Sequence, residues 1–387
     1  MSISKFLCPT TTHFGNGAVN ELPKILNSLG AQRLLILIDA ALLSTPFYER
    51  VQQLLKEIAV DTVSFSDIEP DPSAHTVQKA YDLAQGHRTD TVLAIGGGST
   101  MDVAKAVAIL MVHGGSIHDY EGSEKFNTPG LPLIAIPTTA GTGSEVSGSC
   151  VITDTDKNRK MSIRHAALNP ARYALLDPAA LATLPASVAA HAGIDAFVHA
   201  LESFTSRLAN PITDALNIKA ISLISHHLRD LVHDRTNESA ALNMLLGSAL
   251  AGMAFGQTGL GNVHCMARFV GAKYHVSHGL SNALCLEAVA DFNRVAAPQK
   301  YAQIAQAMGC VNANDANNDE AAAGQAAVQA IAALCRDVGI PEGLRAVGAT
   351  PSDFDAMASD CIKADYSRWN PRTTSHDEFV ALFQSAY

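Results

Sequence analysis

A chain of 387 residues has room for two or three domains, each with its own core. Apolar residues make up 48% and charged ones 17%, which excludes a disordered or low-complexity chain. With 27 basic and 37 acidic side chains the formal charge is −10, and no basic block stands out, which argues against nucleic-acid and anionic-membrane partners. The seven cysteines (Cys8, Cys150, Cys265, Cys285, Cys310, Cys335, Cys361) are odd in number, scattered and without a CxxC pair. That points to a reducing, cytoplasmic setting rather than a disulfide framework. The first residues lack the apolar run of a signal peptide, and no stretch offers the ~18 uninterrupted apolar residues of a membrane span.

The first half alternates short apolar runs with helical periodicity. Arg33–Ile38 is followed by Asp39 and a helix pattern from Pro46 to about Ile58. Val60–Phe65 is followed by a pattern from Ala74 to about Gly86, and Thr91–Ile95 by one from Met101 to Met111. Leu131–Ile136 is the fourth run. Runs apolar on both faces and separated by helices predict a mostly parallel sheet with helices on each side, an α/β fold in which ligands bind at the carboxyl ends of the strands.

Those ends are rich in glycine and hydroxyls. Gly96-Gly97-Gly98-Ser99 lies between the third run and its helix, where a bare backbone and a helix start can meet a phosphate or simply turn tightly. Thr138, Thr139, Gly141, Thr142, Gly143 and Ser144 repeat the arrangement after the fourth run, to hold ribose or pyrophosphate or to cap a helix. Asp39 fits an acid that accepts the ribose 2′-hydroxyl of NAD and repels the phosphate of NADP; the competing role is an N-cap. Asp102 and Lys105 are either a ligand-facing pair or a capping acid with a surface cation.

From Pro185 strand signals fade. Helical patterns cover 188–205, 211–232, 238–255, 297–307, 320–337 and 353–361, so residues 1–184 are expected as the α/β domain and 185–387 as an all-helical one. Asp195 and His199 stand four apart, one turn of a helix face, where a carboxylate and an imidazole can share a divalent cation or merely hydrogen-bond. A second histidine cluster follows: His264, His275 and His278. On one unbroken helix His264 and His278 would lie roughly 21 Å apart. A break at Gly271 would let His278 fold back from a loop, with His275 as a rival ligand. Asp195, His199, His264 and His278 would make a nitrogen and oxygen set suited to Fe²⁺ or Zn²⁺.

These residues closely resemble the iron-dependent (group III) alcohol dehydrogenase family over nearly the whole chain. The matching pieces are Phe14–Gly17, Gly96–Lys105, Pro137–Glu145, Gly193–Glu202, His264, His278-Gly279 and Asn370–Arg372. The resemblance implies a dinucleotide-binding N-terminal domain and a helical C-terminal domain with Asp195, His199, His264 and His278 as metal ligands. It further implies that Gly97, Gly98, Ser99, Thr138, Thr139 and Thr142 hold the cofactor, with Asp102 in the same helix, that Asp39 favours NAD, and that the chain forms a homodimer or larger assembly. The activity it implies is reversible hydride transfer between NAD(H) and a small alcohol or its aldehyde, assisted by Fe²⁺ or Zn²⁺.

Two positions depart from the family pattern. Arg268 stands where relatives usually carry a second histidine; it cannot relay a proton, but it can pair with a substrate carboxylate or phosphate, or form a structural ion pair. That leaves His275 as the remaining candidate for proton transfer, and an anionic hydroxy acid, or a maleylacetate-type substrate, as an alternative to a simple primary alcohol. Tyr366 stands where many relatives have a small residue and would narrow the substrate pocket. A rival activity for this fold, metal-dependent lyase chemistry of the dehydroquinate-synthase kind, needs a strongly cationic phosphate site that the chain does not display.

Overall fold

The computed structural model describes residues 4–157 and 159–387. They form two compact units, one of Leu7–Thr139 and Gly143–Leu184, the other of Ala140–Thr142 and Pro185–Tyr387 with residues 4–6.

The first unit is built on β1 (Thr11–Phe14), β2 (Arg33–Ile38), β3 (Asp61–Phe65), β4 (Thr91–Gly96), β5 (Gly122–Ser123), β6 (Leu133–Pro137), β7 (Ser149–Asp154), β8 (Arg159–Arg164) and β9 (Tyr173–Leu176), with helices α1 (Leu22–Leu29), α2 (Pro46–Lys56), α3 (Ala74–His87) and α4 (Gly98–His113). The four apolar runs fold as β2, β3, β4 and β6 of a six-stranded sheet, ordered β1-β9-β6-β4-β2-β3 and parallel throughout. Every residue of β4 and β6 is buried, as central parallel strands require, while β3 at an edge is half exposed.

The strand order fixes where a ligand would bind. From β2 the chain moves outward to β3, whereas from β4 it moves the other way to β6, so the connections diverge between neighbours β2 and β4. Such a switch point opens a crevice at the carboxyl ends of the two strands. Asp39 follows β2 and Gly97 follows β4, and Asp39 N donates to Ile95 O at 3.1 Å across that gap.

A second, three-stranded sheet of β5, β8 and β7 packs β7 against α4. Its antiparallel β7–β8 pair buries only alternate residues, so it presents a period-two pattern and no apolar run.

The second unit contains α5 (Ala186–Thr205), α6 (Pro211–His233), α7 (Glu238–Thr258), α8 (Asn262–Tyr274), α9 (His278–Arg294), α10 (Pro298–Ala307), α11 (Ala313–Asn318), α12 (Glu320–Asp337), α13 (Phe354–Ala364) and α14 (His376–Ser385). Helix α5 packs against α6, α7 and α9, and from Gly193 to Thr205 each of its residues is buried. Helix α7 is long and apolar enough to cross a membrane by length and composition, yet it packs on α5 and α6 with a row from Ala240 to Thr258 buried, as a core helix does.

The expected break at Gly271 is displaced. Helix α8 runs through Gly271 and stops where His275 takes φ of 54°, and His278 is the first residue of α9 rather than part of a loop. Gly271 serves close packing instead: a Cβ there would come within 3.1 Å of both Ser281 Oγ and Val276 O.

Candidate metal centre and nucleotide-binding turns

Helix α5 presents Asp195, His199 and Glu202 at i, i+4 and i+7, one stripe of a helix that is buried on all sides here. Helices α8 and α9 bring His264 and His278 to the same stripe. One donor atom from each of Asp195, His199, His264 and His278 lies within 4.8 Å of the others. His264 Nε2 and His278 Nε2 stand 3.7 and 3.6 Å from Asp195 Oδ1. Ligands in a tetrahedral shell of radius ~2.1 Å are separated by about 3.4 Å, so the His264 and His278 separations from Asp195 are close to those of a shared cation and the full set would draw in around one.

The His264 ring is held in its tautomer by the acceptor behind it. His264 Nδ1 donates to Glu202 Oε2 at 2.7 Å, which turns its Nε2 lone pair toward Asp195 Oδ1, 3.7 Å away; His199 Nδ1 lies 3.3 Å from Gly141 O and 4.0 Å from Asp195 Oδ2. Glu202 Oε1 also accepts Val263 N at 2.6 Å, fixing the first turn of α8. Gly261 is needed there, because a Cβ would meet Asn370 Oδ1 at 2.7 Å. His199 stacks between Phe255 and His264, with ring centroids 4.4 and 4.6 Å away.

Asn282, one turn into α9, completes the cluster. Its Nδ2 donates to Asp195 Oδ1 at 2.6 Å and lies 3.2 Å from Nε2 of both His264 and His278, while its Oδ1 is buried without a partner among the described residues. An amide N–H₂ set among three of the four donors in this way marks a place where electron pairs converge.

Burial pushes the His199 imidazole down to about 3, against the pull of Asp195, so the ring is neutral and able to ligate. For Asp195 burial opposes ionisation, but His199, His278, His264 and the Asn282 amide outweigh it and hold the carboxyl below its ordinary value. The centre is closed on three sides: Asp195, His199 and His264 are 2–5% exposed, whereas the His278 side chain is 46% exposed. A set of imidazoles and a carboxylate without thiolate fits a borderline divalent cation such as Fe²⁺ or Zn²⁺.

His275 caps α8, exposed, and is not one of the clustered donors. Arg268 is exposed one turn beyond His264 and makes no ion pair or hydrogen bond among the described residues, so the structural ion pair is absent. Tyr366 packs edge-on against Trp369, with ring centroids 5.6 Å apart.

In the first unit Gly97 is the N-cap of α4, and no side chain caps that helix, so its first N–H groups and the small residues Gly98 and Ser99 face outward together. A Cβ on Gly97 would come within 3.3 Å of the Thr139 side chain, and Thr138 N donates to Gly96 O at 3.0 Å, so the two strand ends are drawn close. Thr142 belongs to the helical unit. Asp39 is exposed and accepts Ala41 N at 3.0 Å, capping the short turn after β2 while leaving Oδ2 outward.

Asp102 and Lys105 lie behind these turns, and Lys105 is not a surface cation. It is 1% exposed, and its Nζ donates to Ser144 Oγ, Ser147 O and Ser149 O at 2.8–2.9 Å. Ser144 Oγ donates in turn to Asp102 Oδ1 at 3.1 Å, and Asp102 Oδ2 accepts from Val151 N at 3.0 Å. Burial raises the Asp102 carboxyl to about 6, with Lys105, Val151 and Ser144 opposing, and lowers Lys105.

Glu202, Asn282 and the Lys105 strut are the groups that motif reading passes over. Glu202 was in view as part of the α5 motif, and its spacing of three from His199 is the signal that it shares the ligand face.

A family model described as iron-containing alcohol dehydrogenase matches residues 9–178, and the Fe-containing alcohol dehydrogenase family C-terminal model matches 189–387. The 1,3-propanediol dehydrogenase of Citrobacter freundii is 36% identical over 384 residues, 99% of this chain and 98% of that one. A crystal structure of a 1,3-propanediol oxidoreductase matches with a TM-score of 0.95 at 34% identity, covering 100% of both chains. A sulfoacetaldehyde reductase from Bifidobacterium kashiwanohense, solved in complex with NAD+, matches with a TM-score of 0.89 at 26% identity, covering 100% of this chain and 99% of that one. A parallel-sheet unit joined to a helical unit with a histidine and aspartate cluster thus belongs to the oxidoreductase class. The chain is a member of the iron-containing alcohol dehydrogenase family.

Proposed function

We propose that this protein is a metal-dependent, NAD(H)-linked dehydrogenase that interconverts small primary alcohols and their aldehydes. The observation that carries the reading is the four-donor set Asp195, His199, His264 and His278, spaced around one point, with a neutral His199 ring and an exposed His278. The family's iron, a diol dehydrogenase among the relatives and the NAD+ bound by a similar reductase support it.

The four side chains would hold Fe²⁺ or Zn²⁺, and such a cation supplies Lewis acidity that lowers the pKa of an alcohol hydroxyl. The nucleotide falls to the first unit. Its pyrophosphate would take the uncapped start of α4 at Gly97, Gly98 and Ser99, with Thr138 and Thr139 beside it, while Asp39 would accept the ribose hydroxyl. A nicotinamide held there would supply the hydride acceptor for alcohol oxidation and the hydride donor for aldehyde reduction. Glu202 and Gly141 O keep His264 and His199 oriented, Asn282 steadies Asp195, and Phe255 shields the rings from water.

The test is NADH oxidation with short aldehydes by protein stripped of metal and then given Fe²⁺ or Zn²⁺, alongside Asp195→Ala. Activity that returns with the ion in the wild type and not in the variant supports the reading. Full activity without metal, or in Asp195→Ala, refutes it.

A further inference from the structure

The geometry points to Arg268 as the residue that selects the substrate: a short aldehyde or alcohol bearing an oxyanion at its far end. The inference rests on the dehydrogenase reading above and narrows its substrate class.

His264 and Arg268 stand one turn apart on α8, about 6 Å along the axis and about 40° around it. The stripe of α8 that faces α9 is marked by two contacts, His264 Nε2 with Asn282 and Gly271 with Ser281 and Val276. Arg268 flanks that stripe on the solvent side. His278, the ligand through which the centre opens, is the first residue of α9, so both exposed groups belong to the rim of the same helix pair. A side chain one turn from His264 has the reach to meet the far end of a short molecule whose oxygen is at the centre.

That guanidinium is uncommitted. Arg229, Arg294, Arg368 and Arg372 of the same unit are each held by a carboxylate, on Asp337, Asp291, Asp365 and Glu378. Arg207, Arg336 and Arg268 are exposed without an ion pair among the described residues, and of these Arg268 is the one a single turn from a clustered donor. Arg268 has no ion pair, hydrogen bond or ring contact among the described residues. In a chain of formal charge −10, an unneutralised cation at the mouth of a site is a local reversal of sign. Its planar fork matches a carboxylate, sulfonate or phosphate with two parallel hydrogen bonds, and a neutral alcohol makes no use of it.

Succinic semialdehyde and butanal, equal in carbon number and differing in the terminal carboxylate, form the test pair in NADH-linked assays. Wild type should favour the semialdehyde in kcat/KM by about tenfold or more, carried by KM, as a charge-assisted contact implies. That preference should shrink as salt rises. In Arg268→Met the ratio of the two kcat/KM values should fall at least fivefold, and Arg268→Lys, which keeps the charge without the fork, should restore part of it. Turnover of butanal without preference in wild type, or a ratio that falls less than fivefold in Arg268→Met, overturns the assignment of Arg268 alone. Turnover of neither aldehyde by metal-loaded wild type overturns the dehydrogenase reading and this inference with it.

Discussion

Replacing Glu202 with alanine probes the support behind the metal set without touching a ligand. In wild type its two oxygens take Val263 N at 2.6 Å and His264 Nδ1 at 2.7 Å, in surroundings where Glu202 is 3% exposed. Alanine leaves both donors buried and unpaired, at about 1–3 kcal/mol each, so the metal-free protein should lose about 2–6 kcal/mol of stability. The ring of His264 loses the carboxylate that fixes its tautomer and raises its basicity, and such a loss lowers metal affinity by about 10–100-fold. Glutamine keeps one accepting oxygen, so Glu202→Gln should fall between wild type and alanine on both scales. Chelator competition with Zn²⁺ measures the affinity and urea unfolding of the stripped protein measures the stability. A Glu202→Ala protein whose affinity stays within threefold of wild type would refute the claim that His264 ligates through Nε2 with Glu202 behind it.

Three further outcomes follow from the first unit. Lys105→Met removes a buried donor from Ser144 and two carbonyls and should cost about 2–4 kcal/mol in urea unfolding while weakening NADH binding in fluorescence titration; wild-type values for both would contradict the strut. Asp39→Gly should raise the NADPH-to-NADH ratio of kcat/KM by about tenfold, and an unchanged ratio would remove Asp39 from the ribose site. Burial raises the Glu145 carboxyl from 4.5 to about 7, only partly offset by a backbone hydrogen bond and Lys105. An acid raised on folding keeps its proton in the native state while the unfolded chain releases it, so stability is full below pH 4.5 and is lost as pH climbs to 7. Glu145→Gln should therefore flatten the fall between pH 5 and 7 and gain about 1–3 kcal/mol at pH 8. An unaltered pH profile would show that Glu145 is not the group responsible; the slope due to Asp102, raised to about 6, remains in either case.

How far the sequence reaches depends on what each residue responds to. Runs such as Arg33–Ile38 and Thr91–Ile95 are apolar on both faces because the sheet buries both, so the parallel core was legible from them. The β7–β8 hairpin was not, because only alternate residues are buried, and β1 was not, because Thr11–Phe14 is a mostly polar strand with exposed ends. Asp195 and His199 declare themselves through helical spacing. The approach of His278 depends on where α8 ends, and there Gly271 misleads, since its bare Cα serves packing against Ser281 while His275 makes the turn. Lys105 reads as a surface cation from local pattern, because its three acceptors lie some forty residues downstream, on a stretch without apolar periodicity. Asn282 is invisible for the same reason: one amide gains meaning only when three helices bring three donors around it.

The central claim is that Asp195, His199, His264 and His278 hold one divalent cation. Anomalous diffraction at the iron and zinc edges from metal-loaded crystals tests it most directly. The account predicts a single peak amid these four side chains, absent from Asp195→Ala crystals grown in the same way. Loaded crystals with no peak there, or with the ion bound by other residues, would contradict it.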